Sequence, residues 1–484
     1  MVSWKIISKI IGSLLFVEAF FMATCLAMAF GFGEDDTMAF MMSAIFTFGS
    51  AFLLLYFGRG AENALSRRDS HVVVTLVWIV FSFFGMFPFL IHGSLTLVAD
   101  AFFETMSGFT TTGATVIDDV ERLPHGLLFW RSLMQWIGGL GIVFFTIALL
   151  PSLVGGSVKV FAAEATGPMR TKMHPRLSTT AKWIWSVYTL LTVACGLSFW
   201  VAGMDWFDAV NYAMSTTATG GFSTHNGTIF LASPLIEYLA ILFQFLAGIN
   251  FTLLYLSIFK LRIGTLLHNS EFRFYLFTIF VATMWIMYLL TTQMDYGLER
   301  AFRSSLFQVV SFMTTTGLSN TDAGTWPHIT WVILGVLMFT GACAGSTTGG
   351  FKSIRVLMLV RVLSNEFRHI LHPNAVLPVK LSGQSIPQSK LVSLLAFFTI
   401  SIVMIGTVTT IMVISGVDIT NAFTISLSLF SNVGAGLDTN IGPQMSWADL
   451  SPVLKWLCSA LMLVGRLEIM TVLVLFSRSF WKEN

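Results

Sequence analysis

The sequence predicts an all-α integral membrane protein in which an N-terminal pair of transmembrane helices precedes four pseudo-symmetric units of helix, re-entrant loop and helix. That makes about ten spans, counted by the length of chain a bilayer requires. Three observations carry this prediction. Hydrophobic residues make up 55% of the 484 and charged residues only 11%, with a mean hydropathy of +0.78, far outside the range of soluble domains. Apolar runs near the roughly 20 residues needed to cross about 30 Å of hydrocarbon recur from end to end and leave no room for a large soluble domain. Between the later spans lie four semi-apolar stretches, too short to cross, that resemble one another.

Taken in order, the first run covers residues 6–31. It is too long for a signal-peptide core, contains Glu18 and lacks a small-residue cleavage site, so it reads as a retained span. The acidic link GEDD, residues 33–36, joins it to a second span at 38–58 and belongs outside. Residues 59–70 carry Arg59, Arg67 and Arg68, and excess basic residues in a short loop mark the cytoplasmic side; the N-terminus, with Lys5 and Lys9, is then cytoplasmic too. Further spans fall near 71–96, 126–151, 181–203, 234–259, 272–292, 330–362, 389–415 and 453–479. The loops left inside hold Lys159, Arg170, Lys172, Arg176, Lys260, Arg262, Lys352, Arg355, Arg361, Arg368, Arg478 and Lys482, which puts the C-terminus in the cytoplasm. The chain divides into an N-terminal helix pair (1–69) and repeats at 70–180, 181–270, 271–386 and 387–484, the third with a broken second helix. Cys25, Cys195, Cys343 and Cys458 are scattered in apolar segments without CxxC spacing and read as packing residues. The formal charge of +2 is spread over loops and gives no patch for nucleic acid.

The four similar stretches are DAFFETMSGFTTTGAT (100–115), DAVNYAMSTTATGGFS (208–223), RAFRSSLFQVVSFMTTTGLS (300–319) and NAFTISLSLFSNVGAGLD (421–438). Each opens on a polar residue followed by Ala, runs about three turns and ends in small residues and Gly, the pattern of a short helix emptying into a loop. The first two match without a gap, Met106 and Ser107 against Met214 and Ser215; the third and fourth anchor on Gly317 and Gly436, each followed by Leu. Irregular backbone at membrane depth is tolerated only where it is buried in protein or lines a wet cavity, so its carbonyls must face something polar. Glycine permits the positive φ that lets successive carbonyls point one way, and a ring of carbonyls replaces the hydration shell of a cation. The C-terminal end of each short helix adds partial negative charge. The expected filter is therefore Thr110, Thr111, Thr112 and Gly113; Ala218, Thr219, Gly220 and Gly221; Thr314, Thr315, Thr316 and Gly317; and Val433, Gly434, Ala435 and Gly436.

These residues resemble the Trk/Ktr/HKT superfamily of potassium transporters, most closely its TrkH-type bacterial members, and the resemblance covers the whole chain. It implies four pore-loop repeats around a pseudo-fourfold axis after an extra N-terminal helix pair. Gly113, Gly221, Gly317 and Gly436 fall on the family's filter glycines; sodium-preferring plant relatives have serine at the first, so Gly113 argues for potassium. On this reading potassium sits at Thr111, Thr112, Thr219, Gly220, Thr315, Thr316, Gly434 and Ala435. The resemblance further implies a homodimer in the bacterial inner membrane, gated by a cytosolic TrkA-like subunit that binds NAD or ATP. This chain has neither a G-x-G-x-x-G after a strand nor a Walker sequence, so no cofactor is expected in it, and potassium is its substrate.

Two features below the filter complete the expectation. In the third repeat GACAGSTTGGFKS, residues 341–353, breaks a span with Gly341, Gly345, Ser346, Thr347, Thr348, Gly349, Gly350 and Lys352; the resemblance makes it an intramembrane gating loop, and close helix packing through small residues is the alternative. In the last span Arg466 and Glu468 sit where a charge costs about 2.5–3.5 kcal/mol. The resemblance makes Arg466 a positive barrier that meets the loop, while a local structural pairing is the alternative. Gln135, Gln244 and Asn250 are placed either to line the path or to bond helix to helix, and Asp118, Asp119, Glu121, Asp322, Asp438 and Asp449 either gather cations outside or are plain solvated charges. His225 receives no role. No nucleophile and base pair can be named, which argues against an enzyme. The competing class is a proton-coupled secondary transporter, whose usual two inverted halves contrast with four repeats in one orientation.

Overall fold

The computed structural model describes residues 2–61, 66–142, 177–227, 233–375, 377–437 and 446–482. The expected cytoplasmic charges Lys159, Arg170, Lys172 and Arg176, and the external Asp438, lie outside these. Among the described residues the only sheet is a hairpin of Lys380–Leu381 against Gln384–Ser385; the rest of the regular structure is helical.

The N-terminal pair is Trp4–Phe32 and Thr37–Phe57. Gly33 closes the first helix at φ 70°, its N–H donating back to the carbonyls of Ala29 and Phe30, which reverses the chain within a few residues. The two helices cross closely because Gly12 lies against the backbone of Ala51 and Gly58 against that of Lys9. Glu34 and Asp36 of the link accept from the backbone N–H groups of His125 and Leu127, fastening the pair to the first repeat.

Each repeat has an outer helix, a short helix and an inner helix. The outer helices are Arg67–Gly85, extended by Phe87–His92, then Leu177–Val201, Ser270–Gln293 and Gln388–Ile414. The short helices are Val98–Phe109, Trp206–Ala218, Leu298–Met313 and Ile419–Ser431; beyond the first turn nearly all of each is buried. Outer helices turn large apolar side chains outward, as with Phe277, Phe280, Trp285 and Tyr288, which suits a hydrocarbon surround. The four cysteines are free and buried.

The inner helices depart from expectation. Continuous spans at 126–151, 234–259 and 453–479 are predicted, with a break only in the third repeat, yet all four helices stop at the same place in their repeats: at Gly139, Ala247, Thr340 and Arg466. After the second the chain turns by 106° into Phe251–Phe259, and after the fourth by 112° into Ile469–Phe476. Small residues at these points allow the end of the same repeat's short helix to come in. A methyl on Gly138 would overlap the Phe109 carbonyl, and one on Gly465 the Phe430 carbonyl. Among the described residues, six helices are long and apolar enough to cross a membrane, or eight if each bent pair is one span.

Candidate ion pathway

The four short helices point their C-termini at a common centre, and each empties into a strand of the same conformation. The N–H of Thr112 donates to the Ser107 carbonyl at 2.9 Å, Gly220 to Ser215 at 2.9 Å, Thr316 to Ser311 at 2.8 Å and Val433 to Ser428 at 2.9 Å. Just before each donor stands a residue in the left-handed region: Thr111 at φ 53°, and Thr219, Thr315 and Asn432 at 55°. Asn tolerates that region, whereas a β-branched Thr there is an outlier costing about 1–3 kcal/mol, which persists only because the surrounding structure holds it. Immediately after each donor comes a glycine at positive φ: Gly113 at 84°, Gly221 at 82°, Gly317 at 74° and Gly434 at 75°.

These glycines close a ring. A methyl on Gly113 would overlap the Gly220 carbonyl oxygen, one on Gly221 that of Thr316, one on Gly317 that of Val433, and one on Gly434 that of Thr112. The ring therefore corrects the fourth register. Its fourth glycine is Gly434, not Gly436, and the residues matching Thr111 and Thr112 are Asn432 and Val433, not Gly434 and Ala435. The Leu after Gly317 and after Gly436 aligns the two repeats two residues out of step with their backbones. Asn432 also bonds across the ring, its amide donating to Thr112 Oγ1 at 3.0 Å and to the Met462 carbonyl at 3.0 Å.

Residues 341–353 run beneath these strands and touch several repeats. Gly341 ends the third inner helix at φ 63°, and Phe351 and Ser353 bond back to the carbonyls of Phe339 and Ala342. Thr347 Oγ1 donates to the Thr217 carbonyl at 3.1 Å, and the Gly349 N–H to Thr315 Oγ1 at 2.7 Å. Gly349 lies so close to the Ser431 carbonyl that a methyl would overlap it. On the other side Asn250 Nδ2 donates to the Ala344 carbonyl at 2.6 Å while Asn250 Oδ1 caps the helix after the 106° turn, and Glu271 Oε1 accepts from the Ala344 N–H at 2.6 Å. Within the loop Ser346 and Thr348 share a hydrogen bond of 2.8 Å, Gly345 and Gly350 both take φ 74°, and the buried Lys352 ammonium bonds to the Thr348 carbonyl.

Arg466 reaches this loop. Its guanidinium donates to the Thr347 carbonyl at 2.8 Å and to the carbonyls of Gly138 and Gly139 at 2.7 and 2.8 Å, so one cation ties the loop to the end of the first inner helix. Glu468, two residues on and past the bend, turns away to Arg355 at 2.7 Å.

Of the remaining sequence candidates, Gln135 bonds to the second strand, donating to the Gly220 carbonyl at 2.7 Å and accepting from the Phe222 N–H at 3.1 Å. Gln244, in the same place one repeat later, is buried with neither amide atom hydrogen-bonded. Outside, Asp118 bonds to Ser446, Asp119 to Asn226, Glu121 to His225, and Asp322 caps Gly324, while Asp449 is exposed. His225 bridges Glu121 and Asp208 at 3.3 and 2.9 Å, a position that spacing did not disclose. Sequence reading also passed over Glu104 and Arg131, which form a fully buried ion pair of 2.9 Å behind the first strand; two charges in apolar segments were the available signal.

A family model described as "TrkH: Cation transport protein" matches residues 33–483. The "Trk system potassium uptake protein TrkH" of Halomonas elongata is 35% identical over 491 aligned residues, covering 99% of this chain and all of that one. The protein of the same description from Escherichia coli K12 is 34% identical, with the same coverage. The crystal structure of the potassium transporter TrkH from Vibrio parahaemolyticus superposes with a TM-score of 0.90 at 32% identity, over 99% of this chain and 100% of that one.

Proposed function

The chain belongs to the TrkH family of cation transport proteins, and we propose that it takes up potassium selectively across the bacterial cytoplasmic membrane, with both termini inside, along the axis of the four strands. The carbonyls at Thr111 and Thr112, Thr219 and Gly220, Thr315 and Thr316, and Asn432 and Val433 take the place of the ion's water, and the converging short helices contribute the negative ends of their dipoles. The observation that carries this reading is the closed ring of Gly113, Gly221, Gly317 and Gly434, each abutting a carbonyl of the next repeat. Only a residue without Cβ lets the four strands close this tightly around one axis.

Residues 341–353 and Arg466 form the gate. With Thr347 bonded to Thr217 near the end of the second short helix and Gly349 to Thr315 of the third strand, the loop obstructs the way out, and Arg466 holds it by the Thr347 carbonyl while setting a positive charge beside the path. The protein works as a homodimer, and a cytosolic TrkA-like subunit that binds NAD or ATP moves the loop.

Potassium and sodium flux in liposomes, parent against Gly113→Ser, tests this. A parent that prefers potassium and a variant that admits sodium are expected, because the new side chain would meet the Gly220 carbonyl. A parent without potassium flux, or a selectivity unmoved by the substitution, overturns it.

A further inference from the structure

Behind the strands a second pattern repeats three times and then stops. Glu104, in the first short helix, accepts from Thr115 Oγ1 at 3.0 Å with both carboxylate oxygens. In the second repeat the Tyr212 hydroxyl shares a 2.6 Å hydrogen bond with Ser223 Oγ, and in the third Gln308 Nε2 donates to Ser319 Oγ at 2.6 Å. The chemistry differs each time, but the geometry does not. The partners are 11 residues apart in all three, and the hydroxyl always stands two positions beyond the ring glycine. Glu104, Tyr212 and Gln308 are all buried.

Each hydroxyl also secures the chain as it leaves the ring. Thr115 Oγ1 accepts from the Ile117 N–H at 3.1 Å, Ser223 Oγ from the His225 N–H at 3.0 Å, and Ser319 Oγ donates to the Thr321 carbonyl. Every clamp thus runs from a short helix, through one hydroxyl, to the outer end of its strand. The first is reinforced by Arg131, whose guanidinium bonds to Glu104 at 2.9 Å and to the Ser223 carbonyl at 2.8 Å.

In the corrected register the corresponding fourth pair is Ile425 and Gly436, one without a polar atom and the other without a side chain. No clamp can form there. Behind this strand stand the buried apolar side chains of Ile425 and Leu437. Packing of that kind is not directional, whereas a hydrogen bond in a dry interior fixes both distance and angle.

Resting on the potassium reading above, we propose that Glu104, Tyr212 and Gln308 are positioning residues that fix three walls of the ion path, and that the fourth strand, backed by Ile425 and Gly436, is its compliant wall. Discrimination between cations of different radius depends on how firmly the carbonyl ring resists closing on the smaller one. Three walls supply that resistance, and the fourth yields enough for an ion to enter and leave.

Potassium-to-sodium permeability ratios in liposomes test this with Tyr212→Phe and Gln308→Leu, which remove one polar partner while keeping most of the volume, and with Ser223→Ala and Ser319→Ala, which remove the other. A ratio depends on the ring and not on how much protein is folded, so it separates positioning from stability. Each single substitution is expected to lower the ratio by about two- to tenfold, the worth of one hydrogen bond, and each double along a clamp to lower it no further than its singles. Ile425→Gln with Gly436→Ser installs a fourth clamp, and Gly436 is free of the positive φ that would bar serine. That pair is expected to raise the ratio while slowing maximal flux. A selective parent whose four singles keep its ratio overturns this proposal alone, as does an Ile425→Gln/Gly436→Ser protein that transports with a lowered ratio; a parent without potassium flux overturns the potassium reading together with it.

Discussion

At the residue scale the ring and the seating of the loop beneath it depend on few atoms. Three of the four left-handed positions are threonines, so the backbone there is held against the preference of its own side chains by helix ends and neighbouring strands. Arg466 uses its donors on three carbonyls from two separate segments, Thr347 on one and Gly138 and Gly139 on the other. Arg466→Ala removes both the charge beside the path and the tie that holds the loop. Resting potassium flux in liposomes without any regulatory subunit should then rise by at least about tenfold, the effect of lowering a barrier by some 1.4 kcal/mol. A flux equal to the parent's would return Arg466 to a purely structural role. The first three ring glycines are legible in the sequence because their TTTG and ATGG surroundings resemble one another. Gly434 is not, since the neighbouring Gly436 carries the better local match and only the backbone of Asn432 reveals the offset.

At the scale of elements the sequence discloses one broken inner helix of four. The third announces itself because four glycines and four hydroxyl residues crowd into 341–353. The others break at one to three glycines inside apolar runs, and a glycine costs a helix only about 1 kcal/mol, too little to mark a bend from composition. What ends those helices is tertiary: the end of the same repeat's short helix fills the space at Gly138 and Gly465, and the next repeat fills it at Gly139, through Ala218, and at Gly248, through Thr314. The same reasoning gives a test of the loop. Gly349→Ala pushes a methyl toward the Ser431 carbonyl and Asn432 Cβ, unseating the loop from the fourth strand. Resting potassium flux should increase severalfold, with a smaller change in the potassium-to-sodium ratio than Gly113→Ser produces, and a reversed order of effects on the ratio would show that the loop and ring are not separable.

For the whole molecule, hydropathy and basic residues alone suffice to order the long outer helices, and the outer and N-terminal helices end within a few residues of their expected limits. Because all four native cysteines are buried, single introduced cysteines can report sidedness. Lys5→Cys should react with a membrane-impermeant maleimide only from the cytoplasmic face and the exposed Asp35→Cys only from outside; labelling of both from one side would overturn the topology. The networks behind the strands were beyond the reach of sequence reasoning, because Glu104, Tyr212, Gln308 and Ile425 share a place but no chemistry.

The ring of four glycines has a genetic consequence. In a channel assembled from identical subunits every substitution enters the pore four times, so each step in sequence space is a fourfold change. Here one covalent chain supplies all four quarters, and a mutation alters a single side. Each quarter is therefore free to differ from the others, as Glu104, Tyr212, Gln308 and Ile425 do at one place in the four.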